Sequence, residues 1–256
     1  MNRIQNAFQN QKAFIGFVTA GDPSLEKTKE FVLEMERAGA SLVELGIPFS
    51  DPIAEGPVIQ NANIRALSAG CTTDKIFDMV AELRTRTQIP LVFMAYANTL
   101  YKYGYENFCN HCKEVGIDGM IVPDMPFEEK NELASIAANY GLSLISMIAP
   151  TSEERIREIA REAEGFLYVV SSLGVTGVRD NITTDVEGIV RAVRSVTDVP
   201  ISVGFGINTR EQVHHYTTIA DGAIVGSAIV KLIEQYGEDA APKIYEYVSG
   251  MVAGLA

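Results

Sequence analysis

Apolar residues along the chain follow two rhythms that alternate from one end to the other. Short, nearly unbroken apolar runs recur at Phe14–Ala20, Leu42–Ile47, Leu91–Tyr96, Gly119–Val122, Leu142–Ile148, Phe166–Ser171, Ile201–Phe205 and Gly222–Val225. A run of that length fits a parallel strand covered on both faces. Between the runs the spacing changes to three and four. Thr28, Val32, Met35 and Gly39 form one stripe, opposite Lys27, Lys29, Glu30, Glu34 and Glu36. Ile244, Tyr247, Val248, Met251, Val252 and Leu255 form another. That period predicts amphipathic helices. Thr151 with Glu154, Thr184 with Glu187 and Thr209 with Gln212 have capping-box spacing, so each predicts a helix start just after a strand.

Eight strand–helix units with no Ser/Gly/Pro-rich linker predict one α/β domain over residues 1–256. The expected fold is a single (β/α)₈ TIM barrel with an additional N-terminal helix and a short phosphate-binding helix after the eighth strand. The rival is a doubly wound open sheet, which carries a glycine-rich phosphate loop after its first strand. Here Gly21-Asp22-Pro23-Ser24 follows the first strand, and the glycine-rich segments follow the last two. Barrels bind phosphate there.

Charge narrows the partners. The chain has 21 Lys and Arg against 33 Asp and Glu, a net charge of −12. Nucleic acid and anionic membranes would be repelled. A small phosphate ester stays open, because backbone N–H groups bind it without a basic patch. Met1–Lys12 is polar, no apolar run has membrane-spanning length, and three cysteines make no disulfide framework. A reducing, cytoplasmic setting is expected.

Gly204-Phe205-Gly206-Ile207-Asn208 closes the seventh strand, and Gly222-Ala223-Ile224-Val225-Gly226-Ser227 spans the eighth. Glycine lets amides approach an anion closely, and a helix beginning at Gly226 or Ser227 would aim its N-terminal dipole at the same point. Gly174 and Gly177 could add further amides.

The second strand holds the most telling residue. If Val43, Leu45 and Ile47 face the helices, then Leu42, Glu44 and Gly46 face the barrel axis, with open space at Gly46 above Glu44. A carboxylate in an apolar barrel is costly to ionise, so its pKa rises toward neutrality, where it can shuttle a proton. Glu55 and Asp51 lie in the proline-rich loop that follows, and either could face Glu44 across a bound molecule. No metal-ligand cluster is evident. Of the three histidines, His111, His214 and His215, the last two lie in the Thr209–Ile219 helical stretch and read as solvated or helix-packing residues, and Cys109-Asn110-His111-Cys112 lies within a helical stripe without a second ligand pair.

The segment Val43-Glu44-Leu45-Gly46-Ile47-Pro48-Phe49-Ser50-Asp51-Pro52, continued by Ala54-Glu55-Gly56-Pro57-Val58-Ile59-Gln60, resembles the signature of the tryptophan synthase α subunit family. Phe17–Pro23, Tyr96-Ala97-Asn98, Gly174–Gly177, Gly204–Ile207 and Gly226–Val230 extend the resemblance over the chain. It implies a carbon–carbon lyase in L-tryptophan biosynthesis. The reaction is the retro-aldol cleavage of indole-3-glycerol phosphate to indole and glyceraldehyde 3-phosphate, with no cofactor in this subunit. The expected partner is a pyridoxal phosphate-dependent β subunit in an α2β2 tetramer, docked near the Ile47–Pro57 loop.

On the matched positions, Glu44 is the general acid/base and Glu55 the carboxylate facing the indole N–H. Tyr168 is an active-site tyrosine. Phe17, Ile59, Tyr96 and Phe205 line the indole pocket. Gly177, Gly206, Gly226 and Ser227 hold the phosphate through backbone N–H groups, and Thr176 anchors a lid over Leu173–Thr183. Position 55 departs from the commoner Asp by one methylene, so the loop must retreat or the side chain fold. Competing readings are a stand-alone lyase, a chain that mainly activates its partner, and a sugar-phosphate isomerase or epimerase.

Overall fold

In a computed structural model, which describes residues 2–171 and 185–256, the eight apolar runs form a closed parallel barrel. The strands are β1 (Ala13–Thr19), β2 (Leu42–Gly46), β3 (Leu91–Met94), β4 (Gly119–Ile121), β5 (Ser143–Ile148), β6 (Leu167–Val170), β7 (Ile201–Gly204) and β8 (Gly222–Val225). Sequence neighbours pair, and β8 closes on β1 with Ala13 opposite Gly222 and Gly16 opposite Val225. The expected (β/α)₈ barrel is therefore the fold. Most strands stop a residue or two short of their apolar runs, where the chain peels away toward the loops.

Alternation along each strand divides two apolar populations. Ile15, Leu42, Val92, Ile121, Ile145, Phe166 and Ile224 pack together in the barrel interior. Phe14, Val18, Val43, Leu45 and Phe93 join Phe31, Val32 and Met35 of the surrounding helices. The expected N-terminal helix is Arg3–Ala7, and its Ile4 is fully buried against the interior set. Burying that side chain contributes roughly 1.5–3 kcal/mol. Beside it, Asp118 binds Arg3 at 3.0 Å and Arg84 at 2.9 Å and accepts the Leu91 N–H at 2.9 Å. Arg84 also donates to the carbonyls of Gly116 and Ile89. This end of the barrel is closed by an apolar plug and a satisfied charge cluster.

Helix starts differ in detail from the capping-box reading. Thr209 and Gln212 do cap each other, with Gln212 N–H donating to the Thr209 hydroxyl at 3.2 Å and Thr209 N–H to Gln212 Oε1 at 3.1 Å. The helix Glu153–Arg161 is instead capped by Ser152, whose hydroxyl accepts from Arg155 N–H; Thr151 sits one residue too early to reach that donor. Val186–Arg194 is capped by Asp185, which accepts from Gly188 N–H at 2.8 Å, while Thr184 lies outside the described residues. Gly39 and Leu255 fall beyond the ends of helices Leu25–Arg37 and Ala241–Val252, so neither extends its stripe.

After β8 comes a ten-residue helix, Ser227–Tyr236. Cys109 and Cys112 are buried free thiols on the core face of helix Tyr105–Val115. No described helix is long and apolar enough to cross a membrane.

Candidate active site

The C-terminal ends of the strands surround a cavity of about 620 Å³, counting its open mouth. β2 carries Glu44 to its wall. The residue is 1% exposed, and among the described residues neither carboxylate oxygen has a hydrogen-bond partner. Burial pushes its pKa from 4.5 to about 8. Burial strips water from the carboxyl and no cation among the described residues compensates, so the neutral acid is the resting form at neutral pH. The open space expected at Gly46 is occupied: a Cβ there would come within 2.6 Å of the Phe17 ring. Phe17 is paired with Glu44 across the β1–β2 ladder, and its side chain is long enough to lean over the glycine two residues along.

Glu55 reaches the same cavity from the loop between β2 and helix Pro57–Ser68. It is 6% exposed, and burial raises its pKa to about 7 against the lowering effect of an Asn63 hydrogen bond. The structure thus separates the two loop carboxylates that sequence left open, since Asp51 is exposed and lies outside this cavity. Tyr168, on β6, is buried on the wall, and burial followed by the nearby Glu44 raises its pKa well above the usual tyrosine value. Its hydroxyl lies where a side chain at Gly204 would begin.

Phe17, Ile59 and Phe205 line the cavity, as does an apolar group that sequence reasoning missed, including Met94, Met147 and Ile224. Ile224 could have been found by counting alternate positions inward along β8. Tyr96 does not line it. Its hydroxyl accepts the Ala54 N–H at 3.1 Å and its ring stacks on Phe49, so it fixes the Glu55 loop from behind. The side chain is drawn there because a buried phenol needs a polar partner.

Gly206, Gly226 and Ser227 also line the cavity, with Gly226 packed against Phe17. Gly226 is the N-cap of helix Ser227–Tyr236 and supplies no side-chain cap. First-turn amides without a capping side chain suit an anion. Phe205 and Gly206 both have left-handed φ, +73° and +82°. For Phe205 this costs about 1–3 kcal/mol, and Ser171 donates a hydrogen bond to the Phe205 carbonyl in the strained turn. Thr176 and Gly177, with the rest of the lid expected over Leu173–Thr183, lie outside the described residues.

Among the described residues no group of three or more His, Cys, Asp or Glu could hold a metal ion. His111 contacts the Asn107 carbonyl and His214 the Gly254 carbonyl, both away from the cavity.

Comparison with known proteins identifies a family. The family model for the tryptophan synthase alpha chain matches residues 4–253. A tryptophan synthase alpha chain from Alkaliphilus metalliredigens is 50% identical over 244 residues, 93% of this chain and 92% of that protein. One from Lactiplantibacillus plantarum is 47% identical over 256 residues, covering 100% of this chain and 97% of the other. Among solved structures, the alpha chain from Legionella pneumophila superposes with a TM-score of 0.89 at 34% identity, covering 100% of this chain and 97% of that one. A chain from the tryptophan synthase a2b2 complex of Pyrococcus furiosus gives 0.85 at 34% identity over 95% and 99%. This chain belongs to the tryptophan synthase alpha chain family.

Proposed function

We infer that the chain cleaves indole-3-glycerol phosphate to indole and glyceraldehyde 3-phosphate, the alpha reaction of its family, as one domain over residues 1–256. What carries the reading is the placement of two buried carboxylates, Glu44 and Glu55, in the same cavity as an uncapped helix N-terminus at Gly226 and Ser227. The first turn of that helix and Gly206 hold the phosphate. The indole ring lies among Phe17, Ile59 and Phe205, with Tyr168 on the barrel wall beside it.

The proton inventory then closes on one group. Glu44, neutral at rest, gives its proton to indole C3. The positive charge that develops at the ring nitrogen is met by the Glu55 carboxylate. Glu44, now ionised, takes the proton from the glycerol hydroxyl on the carbon attached to C3. The C–C bond breaks as the aldehyde forms, its electron pair returns to the indole ring, and Glu44 ends as it began. One acid serves as donor and then as base, which the raised pKa permits at neutral pH.

Alpha chains of this family carry no cofactor, and pyridoxal phosphate belongs to the β subunit. We propose that this chain docks on such a subunit in an α2β2 tetramer in the cytoplasm, through the surface around the Ile47–Pro57 loop. It has no nucleic-acid or membrane role. Ile53 in that loop is 73% exposed, as a docking residue would be in the free chain.

The deciding measurement is indole release by Glu44→Gln, with substrate-analogue binding followed separately. Loss of release with binding retained supports the assignment. Near-wild-type turnover overturns it.

A further inference from the structure

Resting on that reading and deepening it, we propose that Asn63 is the positioning residue that aims Glu55 at the ring nitrogen. The two side chains work as a pair matched in combined length. Asn63 lies on the buried face of helix Pro57–Ser68, beside Ile59, Ala62 and Ala66, and is 3% exposed. A polar side chain on such a stripe is costly unless hydrogen-bonded. Among the described residues its partner is Glu55: Nδ2 donates to Glu55 Oε2 at 2.7 Å. Glu55 lines the cavity and Asn63 does not, so Asn63 acts through the carboxylate rather than on a ligand.

Both ends of this bridge are fixed. Next to Glu55, Ala54 N–H is held by the Tyr96 hydroxyl, and the Glu55 carbonyl accepts from Gln60 Nε2 at 2.7 Å. On the helix, Arg65 grips the fully buried Asp22 of the β1 turn through two bonds, each 2.8 Å. With both backbones anchored, the carboxylate sits where the two side-chain lengths meet. The extra methylene of Glu over Asp is therefore taken up against Asn63. Binding Oε2 leaves Oε1 as the oxygen to meet an indole N–H, and the donated hydrogen bond favours the ionised form.

The test uses the full chain and moves the methylene across the bridge, comparing Asn63→Leu, Glu55→Asp, Asn63→Gln and the double variant Glu55→Asp/Asn63→Gln. Asn63→Leu is expected to lower kcat for indole release about 10–100-fold, as loss of a hydrogen bond to a charged group does. KM should change little, and the acid limb of the pH–rate profile should move to higher pH. The double variant, which restores the combined length, is expected to exceed the product of its two single effects by roughly tenfold or more. The carbon-13 titration of the Glu55 carboxyl in the ligand-free chain should also shift upward in Asn63→Leu.

That titration needs no activity, so it separates this idea from the reaction assignment. A wild-type chain that releases no indole sinks the reaction, whereas an unmoved carboxyl titration sinks the role of Asn63. An additive double variant also sinks it. If Asn63→Leu does not fold, the Gln and Asp variants, which keep every polar group, decide the matter alone.

Discussion

The two ends of the barrel handle buried charge in opposite ways. At the N-terminal end, Asp118 is matched by Arg3 and Arg84 and by the Leu91 N–H, and its neighbourhood is sealed by Ile4. At the C-terminal end, Glu44 is buried at least as deeply, yet no described residue offers it a hydrogen bond. The first arrangement keeps its charges by pairing them, and removing any partner is what would be costly. The second keeps its group neutral by denying it partners, which is poor for stability once the acid ionises and useful for moving a proton. One fold thus separates the face that holds it together from the face that reacts.

Glu44→Gln sharpens the contrast most. Indole release is expected to fall about 10²–10⁴-fold, the usual worth of a general acid/base. Stability should move the other way. The folded pKa of Glu44, about 8, lies above its ordinary value of 4.5, so its contribution is complete below 4.5 and is lost as pH rises through 8. Gln has no such titration. Denaturant melts of the two proteins should therefore run together near pH 4 and separate, with Gln the more stable, by on the order of a few kcal/mol above pH 8. Parallel curves across that range would refute the neutral-acid picture.

Asp118→Ala probes the other end. It strands Arg84, whose own pKa burial already depresses to about 10, and should cost about 3–5 kcal/mol in urea melts. Turnover per folded molecule should stay unchanged; a fall in kcat would show that the two faces are not separate.

The pH dependence of kcat/KM comes next. In the proposed mechanism Glu55 acts ionised, which needs pH above about 7, and Glu44 protonated, which needs pH below about 8. The profile should be a narrow bell whose limbs report the pair, and a plateau from pH 6 to 9 would contradict it. Smallest is Thr209→Ala, expected to cost about 1 kcal/mol by removing a helix cap, with no kinetic effect.

What the sequence made legible follows from how local each cause is. The strands were readable because both faces of each are buried, and Glu44 was readable because alternation in β2 forces it inward. Contacts set by distant packing were not. The notch at Gly46 looks empty from β2 alone, yet the Phe17 ring from β1 enters it. Tyr96 looks like a pocket wall until its hydroxyl is seen on the Ala54 amide. Asn63 did leave a trace, as a polar residue on an apolar stripe with Ile59, Ala62 and Ala66, but only the fold shows that its partner is Glu55.

The seating of Phe17 against Gly46 also sets a rule of inheritance. Any lineage that gains a side chain at position 46 must shift an aromatic ring that packs beside the buried Glu44 carboxyl. Neutral drift is barred at a residue that contributes no functional group. Position 46 is free to change only in company with position 17.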